Sequence, residues 1–192
     1  FRETFGGLHL KYGVEPDMAM YGKALGNGYA ITATIGRREI MEAAQSTFIS
    51  STFWTERIGP SAGVKTLEIM ESTKSWEQIS RAGENIKLKW DHLSKLHNIK
   101  IEISGLKALP IFTFQSENNL AYKTFLTQEM LKKGFLASNS VYVCIDHNDK
   151  IIDDYFNELD KIFKKIKECE EGQNILDLLD GPICHSGFSR LN

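Results

Sequence analysis

Apolar and polar positions in this chain alternate with two periods, and the points where the period changes mark out its elements. Short apolar runs bounded by turn residues predict strands at Met18 to Tyr21 and at Ala30 to Ile35, and Arg37 to Ser46 reads as a short helix. After the polar stretch Ser50-Ser51-Thr52-Phe53-Trp54-Thr55, Pro60 suits the first turn of a helix that carries Ala62, Leu67, Ile69 and Met70 and ends near Glu71-Ser72.

A second block follows, so residues 1–72 and 73–192 read as two domains. It opens with a helix whose positions Trp76, Ile79, Gly83, Ile86, Trp90 and Leu93 recur at helical spacing and predict one buried face. Ile99 to Ile103 and Ala108 to Phe114 read as strands. Leu120 to Lys133 reads as a helix closed by Gly134, and Ser140 to Ile145 as a further strand. Asp149 is placed to cap a last strong helix, in which Ile152, Tyr155, Phe156, Leu159, Ile162, Phe163 and Ile166 form an apolar stripe above solvated charges. That stripe is expected to pack on the small sheet. The tail from Gly172 is less regular, with a short helix at Ile175 to Leu179, and no chemistry is assigned to Pro182 to Asn192. The mixture of elements is α/β in the first block and α+β in the second.

Composition narrows the function classes. The chain of 192 residues is 42% hydrophobic and 25% charged, with a formal charge of −2. That near balance argues against a nucleic-acid partner, which needs a clustered basic surplus. No apolar run approaches the ~20 residues that span a bilayer, and no signal-peptide pattern opens the chain, so no membrane role is expected. Cys144, Cys169 and Cys184 are odd in number and widely spaced, which indicates neither a disulfide framework nor a metal site. Cys184-His185 is adjacent rather than at ligand spacing, so no metal is expected. Free thiols fit a cytoplasmic setting.

The chemistry concentrates in Tyr21-Gly22-Lys23-Ala24-Leu25-Gly26-Asn27-Gly28-Tyr29, where one lysine sits among three glycines directly after a predicted strand. Glycines on both sides of Lys23 remove side-chain bulk and allow positive φ, so a flat ring could approach the backbone. A phosphate-binding P-loop is excluded, because Asp17 stands where its first glycine belongs and Ala24 where its Ser or Thr belongs. The dinucleotide fingerprint is excluded too: Gly26-Asn27-Gly28 is followed by Tyr29, Ala30 and Ile31, with no third small residue and no helix opening there. Taken alone, Gly22-Lys23 reads more readily as a surface lysine in a turn than as a catalyst.

The flanking strings change that balance. Tyr12-Gly13-Val14-Glu15-Pro16-Asp17 leads into the lysine loop, and a short strand and the Arg38-Glu39-Ile40-Met41 helix opening follow it. In this order the segment resembles the class III (subgroup II) pyridoxal-phosphate (PLP) aminotransferases, and within them the glutamate-1-semialdehyde 2,1-aminomutase-like branch. The resemblance implies the C-terminal part of a fold-type I PLP-dependent transferase: the end of the large domain, then the small α+β domain. It implies that Lys23 carries PLP as a Schiff base and serves as catalytic base. The implied reaction is amino-group transfer, ping-pong through pyridoxamine phosphate, between a small-molecule amino donor and a carbonyl acceptor, or between adjacent carbons of one molecule.

In that family a threonine before a helix reaches the cofactor phosphate from the other subunit of a homodimer, so the active site is expected at a subunit interface. Two threonines compete for the role. The string Ser51-Thr52-Phe53 favours Thr52, and the spacing to Pro60 favours Thr55; Trp54 to Ile58 departs from the family's short turn. Asp146-His147-Asn148-Asp149 resembles a turn before the last helix, which makes His147 a turn and capping residue. His9, His92, His97 and His185 belong to no motif. Phe1-Arg2 resembles the string just past the family's pyridine-binding aspartate, so the 192 residues alone are expected to be inactive. The rival reading is a non-catalytic fragment or diverged homologue that keeps the fold and the dimer surface.

Overall fold

The computed structural model describes residues 2–187; Phe1 and residues 188–192, the end of the irregular tail, lie outside the described residues. The chain divides into two compact units, Phe1–Gln78 and Ile79–Asn192.

In the first unit a short helix α1 (Leu8–Lys11) precedes strand β1 (Met18–Tyr21), and a single 3-10 turn at Lys23–Leu25 follows. Strand β2 (Ala33–Gly36) pairs with β1 in antiparallel register, Met18 opposite Gly36 and Tyr21 opposite Ala33. Helix α2 (Arg38–Glu42) then tightens into a 3-10 turn at Ala43–Ser46, and α3 spans Ile58–Thr73. Strand β2 begins three residues later than the expected Ala30. The reason is steric. Ala30 and Ile31 form the seat on which the start of α3 rests, since a Cβ on Gly59 would stand 2.7 Å from the Ala30 carbonyl oxygen and 3.2 Å from the Ile31 Cβ. A residue used as a seat for a helix leaves the ladder.

Among the described residues of this unit, Leu25 is the one large apolar side chain that is buried. Met20, Phe48, Phe53 and Trp54 are 84%, 94%, 75% and 69% exposed. Large apolar side chains are thus left bare in this unit.

The second unit has its own core. Helix α4 (Ser75–Leu96) runs into it and buries Ile86, Trp90 and Leu93. Strands β3 (Ile101–Leu106) and β4 (Leu109–Phe114) form an antiparallel hairpin, and α5 (Asn119–Lys132) and α6 (Asp149–Glu170) pack on it. Trp90 meets Phe112 edge-on at 4.8 Å, and Phe163 of α6 reaches Phe112 and Phe114 at 6.0 and 5.6 Å. The α6 stripe read from the sequence is buried at all seven positions. Each such side chain contributes about 1.5–3 kcal/mol relative to exposure, so this cluster dominates the stability of the unit.

Two sequence readings change here, and a third gains a detail. Ser140 to Ile145 is not a full strand: Ser140 makes an isolated antiparallel bridge to Ile111, and the chain leaves the extended path at Cys144. There the Cys144 N–H donates to His147 Nδ1 (2.9 Å) and the His147 N–H to the Cys144 carbonyl (3.2 Å), closing a turn. The N-cap of α6 is Asn148, whose Oδ1 accepts from the Ile151 N–H at 3.0 Å; Asp149 is the first helical residue. Gly83 is buried on that face as read, and it is also a point of close approach, because a Cβ there would lie 1.7 Å from the Lys107 carbonyl oxygen.

Candidate active site

Lys23 leaves β1 immediately after Gly22, whose backbone is fully extended (φ −162°, ψ −158°). Its own φ is +48°, and Asn27 at +47° and Gly28 at +109° also lie in the left-handed half of the map. Left-handed geometry in a non-glycine residue persists only where the surroundings hold it. The hold is visible in backbone bonds. The Leu25 N–H donates to the Gly22 carbonyl (3.1 Å), Asn27 to Lys23 (3.1 Å) and Tyr29 to Gly26 (3.1 Å). A Cβ on Gly26 would fall 1.9 Å from the Tyr29 carbonyl oxygen, so only glycine closes this loop.

The loop is anchored from below. Leu25 is 8% exposed and faces Gly63 of α3, where an added Cβ would stand 3.7 Å from Leu25 Cδ1. Gly59 and Gly63, one helical turn apart, thus let α3 lie close under the segment from Leu25 to Ile31. Sequence reasoning missed both glycines as positioning residues, although their i, i+4 spacing inside a predicted helix was a readable signal.

The Lys23 side chain is exposed and has no hydrogen-bond or ion-pair partner among the described residues. The two acids closest in sequence are engaged elsewhere: Asp17 holds Arg37 at 3.1 Å, and Glu15 approaches the same guanidinium at 3.8 Å. Among the described residues the loop therefore presents an amine without an ion-pair partner. Beside it, Phe5, Tyr21, Leu25, Ala33, Ile35 and Leu67 line an apolar cavity of about 300 Å³. Lys23 is not one of its lining residues, so this cavity is not the lysine's own pocket.

Thr52 and Thr55 both lie in the exposed turn before α3, and no hydrogen bond links either to Lys23. They differ in their neighbourhood. Glu56, next to Thr55, folds its carboxylate over the start of α3 and accepts from the N–H groups of Ile58 and Gly59, the latter at 3.0 Å. The sequence reading missed this cap. A carboxylate already occupies the positive end of the helix. Thr52 belongs to the turn that the Ser51 hydroxyl stabilises by accepting from Phe53 N–H at 3.2 Å.

The sequence profile of the aminotransferase class-III family matches residues 3–165. The 3-aminobutyryl-CoA aminotransferase of Cloacimonas acidaminovorans is 30% identical over 156 residues, which are 78% of this chain and 38% of that protein. The glutamate-1-semialdehyde 2,1-aminomutase of Methanocaldococcus jannaschii is 26% identical over 87% of this chain and 43% of its own length. A Sphingopyxis protein solved in its PLP internal aldimine form superimposes with a TM-score of 0.78 at 21% identity, over 93% of this chain and 44% of that one. The chain thus spans less than half the length of these relatives, and its architecture is that of a partial fold-type I transferase. With most of its length matched by the family profile, the chain belongs to the class-III aminotransferases.

Proposed function

We propose that the protein transfers amino groups with PLP and that Lys23 is the residue to which the cofactor attaches. One observation carries the reading: an exposed amine without an ion-pair partner among the described residues, held at φ +48° in a glycine loop within the segment shared with the family. The residues fit the group. A Cβ on Gly28 would meet nothing within 4 Å, so the loop is open at that residue, and the Lys23 side chain is exposed.

PLP supplies an electron sink that stabilises negative charge on the carbon bearing the amino group. Lys23 supplies the rest that this chain can offer. Its Nζ must lose a proton to act as nucleophile and then hold or return one as general base. Burial of Leu25 against Gly63 holds the loop backbone from which the Lys23 side chain departs.

For the phosphate arm Thr52 is the better supported of the two threonines. Glu56 already caps α3, so an anion at Thr55 would meet a carboxylate one residue away, whereas Thr52 has no such neighbour. The bare face carrying Phe48, Phe53 and Trp54 supports a homodimer with the active site at the subunit interface. The partners are a small-molecule amino donor and a carbonyl acceptor, as for the 3-aminobutyryl-CoA relative, or one molecule whose amino group moves between adjacent carbons, as the aminomutase name states. The three free cysteines fit the cytoplasm.

The test is borohydride reduction in the presence of PLP of the protein expressed from its complete reading frame, followed by peptide mass spectrometry. The adduct is expected on Lys23 and absent from Lys23→Arg. Label on another lysine, or on none, would sink the assignment.

A further inference from the structure

The lysine loop has a second support, on its strand side. Leu25 holds the chain just after Lys23, and Tyr21, the last residue of β1, stands just before Gly22-Lys23 and opposite Ala33 in the ladder. The Tyr21 hydroxyl donates to the Gly6 carbonyl.

Gly6 belongs to a turn that is braced in its own right. The Thr4 hydroxyl donates to the Gly7 carbonyl (2.6 Å) and accepts from the Gly7 N–H (3.0 Å). Glu3 is buried and holds Lys11 of α1, and the Phe5 ring stacks on Trp76 with centroids 5.1 Å apart. A Cβ on Gly7 would stand 2.8 Å from the Tyr21 hydroxyl oxygen, so the close approach of the phenol depends on glycine there. The tyrosine therefore ends on a carbonyl whose neighbours are fastened on both sides.

Gly22 alone separates Tyr21 from Lys23. A glycine imposes little direction on the chain, so where the lysine starts is decided by what holds the residues around it. The left-handed φ of Lys23, +48°, lies between the Tyr21 and Leu25 supports.

We propose that Tyr21 is a positioning residue for Lys23: its hydroxyl, bonded to the Gly6 carbonyl, fixes the end of β1 from which the lysine departs and so sets how readily Nζ reaches the cofactor aldehyde. The inference rests on the reading of Lys23 as the attachment residue. Tyr21 acts through the backbone of Gly22 and takes no part in the chemistry. Its ring also lines the apolar cavity with Phe5 and Leu67, so phenylalanine keeps that packing and removes the hydroxyl alone.

The experiment uses the protein expressed from its complete reading frame, titrated with PLP, trapped with borohydride and quantified at the Lys23 peptide by mass spectrometry, in parent, Tyr21→Phe and Thr4→Val. Hydrogen exchange over residues 22–29 is followed in parallel. Loss of one hydrogen bond is expected to raise the PLP concentration for half-labelling of Lys23 about two- to tenfold in Tyr21→Phe and to quicken exchange in the loop. Thr4→Val leaves Tyr21 in place but loosens the turn that carries its acceptor, and is expected to shift labelling in the same direction; if Tyr21→Phe fails to fold, Thr4→Val decides. Without denaturant a domain of ordinary stability stays folded after losing one such bond, so a merely structural role would lower the urea midpoint and leave Lys23 labelling unmoved. Labelling of Lys23 in the parent that is undiminished in the folded variants would overturn the proposal, whether or not exchange quickens. Absence of label at Lys23 in the parent would overturn the attachment reading and this one with it.

Discussion

The carbonyl oxygen of Ala30 lies 2.7 Å from where the side chain of Gly59 would begin. The lysine loop thus rests on a helix surface that tolerates no β-carbon at that point, although Gly63, one turn on, faces Leu25 and Ile31 side chains at ordinary contact distances of 3.6–3.8 Å. Two glycines on one helix face therefore predict opposite outcomes. Gly59→Ala forces backbone to move and is expected to cost about 1–3 kcal/mol, whereas Gly63→Ala is accommodated and gains up to about 1 kcal/mol of helix propensity. Hydrogen exchange at the Asn27 and Tyr29 amides, which bond the Lys23 and Gly26 carbonyls, reports on the loop itself. Exchange should quicken in Gly59→Ala and stay level or slow in Gly63→Ala; the same response in both would remove the seat argument.

Gly83 makes the same kind of contact in the second unit, and a tighter one. A Cβ there would stand 1.7 Å from the Lys107 carbonyl oxygen in the turn joining β3 to β4. No rotamer change relieves a clash with backbone. Gly83→Ala is expected to lose about 2–3 kcal/mol of stability through displacement of α4 from the hairpin, despite its higher helix propensity. Urea unfolding followed by the fluorescence of Trp90, buried beside Phe112, measures it, and an unchanged midpoint would show that the hairpin turn shifts freely.

What was legible in the sequence follows from how local each signal was. The α6 stripe and the Met18 to Tyr21 strand depend on residues adjacent in sequence, and both stand in the structure. Gly83 was read onto the buried face and is buried there, but a helical apolar pattern does not distinguish a small residue that packs from one that admits a backbone from elsewhere. Ser140 to Ile145 reads as a strand because its residues favour extension, but extension alone does not supply a second neighbour, and the Cys144–His147 turn ends it. In the lysine loop the glycines were visible and their supports were not. Gly59, Gly63 and Glu56 act across the fold, and their effect on Ala30, Leu25 and the α3 start depends on tertiary contact.

Two buried tyrosines link the stability of the second unit to alkaline pH. Burial, reinforced by the hydrogen bond to Glu170 and its charge, pushes Tyr122 up to about 12, against weaker opposing bonds from Asn118 and Ser116. Burial pushes Tyr155 up further, opposed by the Trp90 Nε1–H that donates to its hydroxyl at 3.2 Å. Both shifts favour the neutral phenol in the folded chain. Between the ordinary tyrosine value near 10 and the folded values, the native state binds more protons than the unfolded one, so stability falls as pH rises through this window. It is fully present below pH ~10. Urea midpoints measured from pH 9 to 12 should decline, and Tyr122→Phe should make the decline shallower. A Tyr122→Phe curve parallel to the parent would mean that this phenol does not govern the transition.

Thr52 and Thr55 are separable because one sits beside a carboxylate and the other does not. If Thr52 bonds the cofactor phosphate, Thr52→Val removes a hydrogen bond to a charged group, worth about 1.5–3 kcal/mol, or roughly ten- to a hundredfold in PLP affinity. Thr55→Val is expected to leave affinity unchanged, because the Glu56 cap already satisfies the N–H groups of Ile58 and Gly59. Glu56→Gln sharpens the comparison. It keeps a side-chain oxygen as acceptor but removes the negative charge from the start of α3, so an anion bound near Thr55 would gain affinity, whereas one bound at Thr52 would change little. Fluorescence titration of the protein expressed from its complete reading frame with PLP, in parent and three variants, gives the order. Loss in Thr55→Val together with tighter binding in Glu56→Gln would transfer the phosphate contact to Thr55.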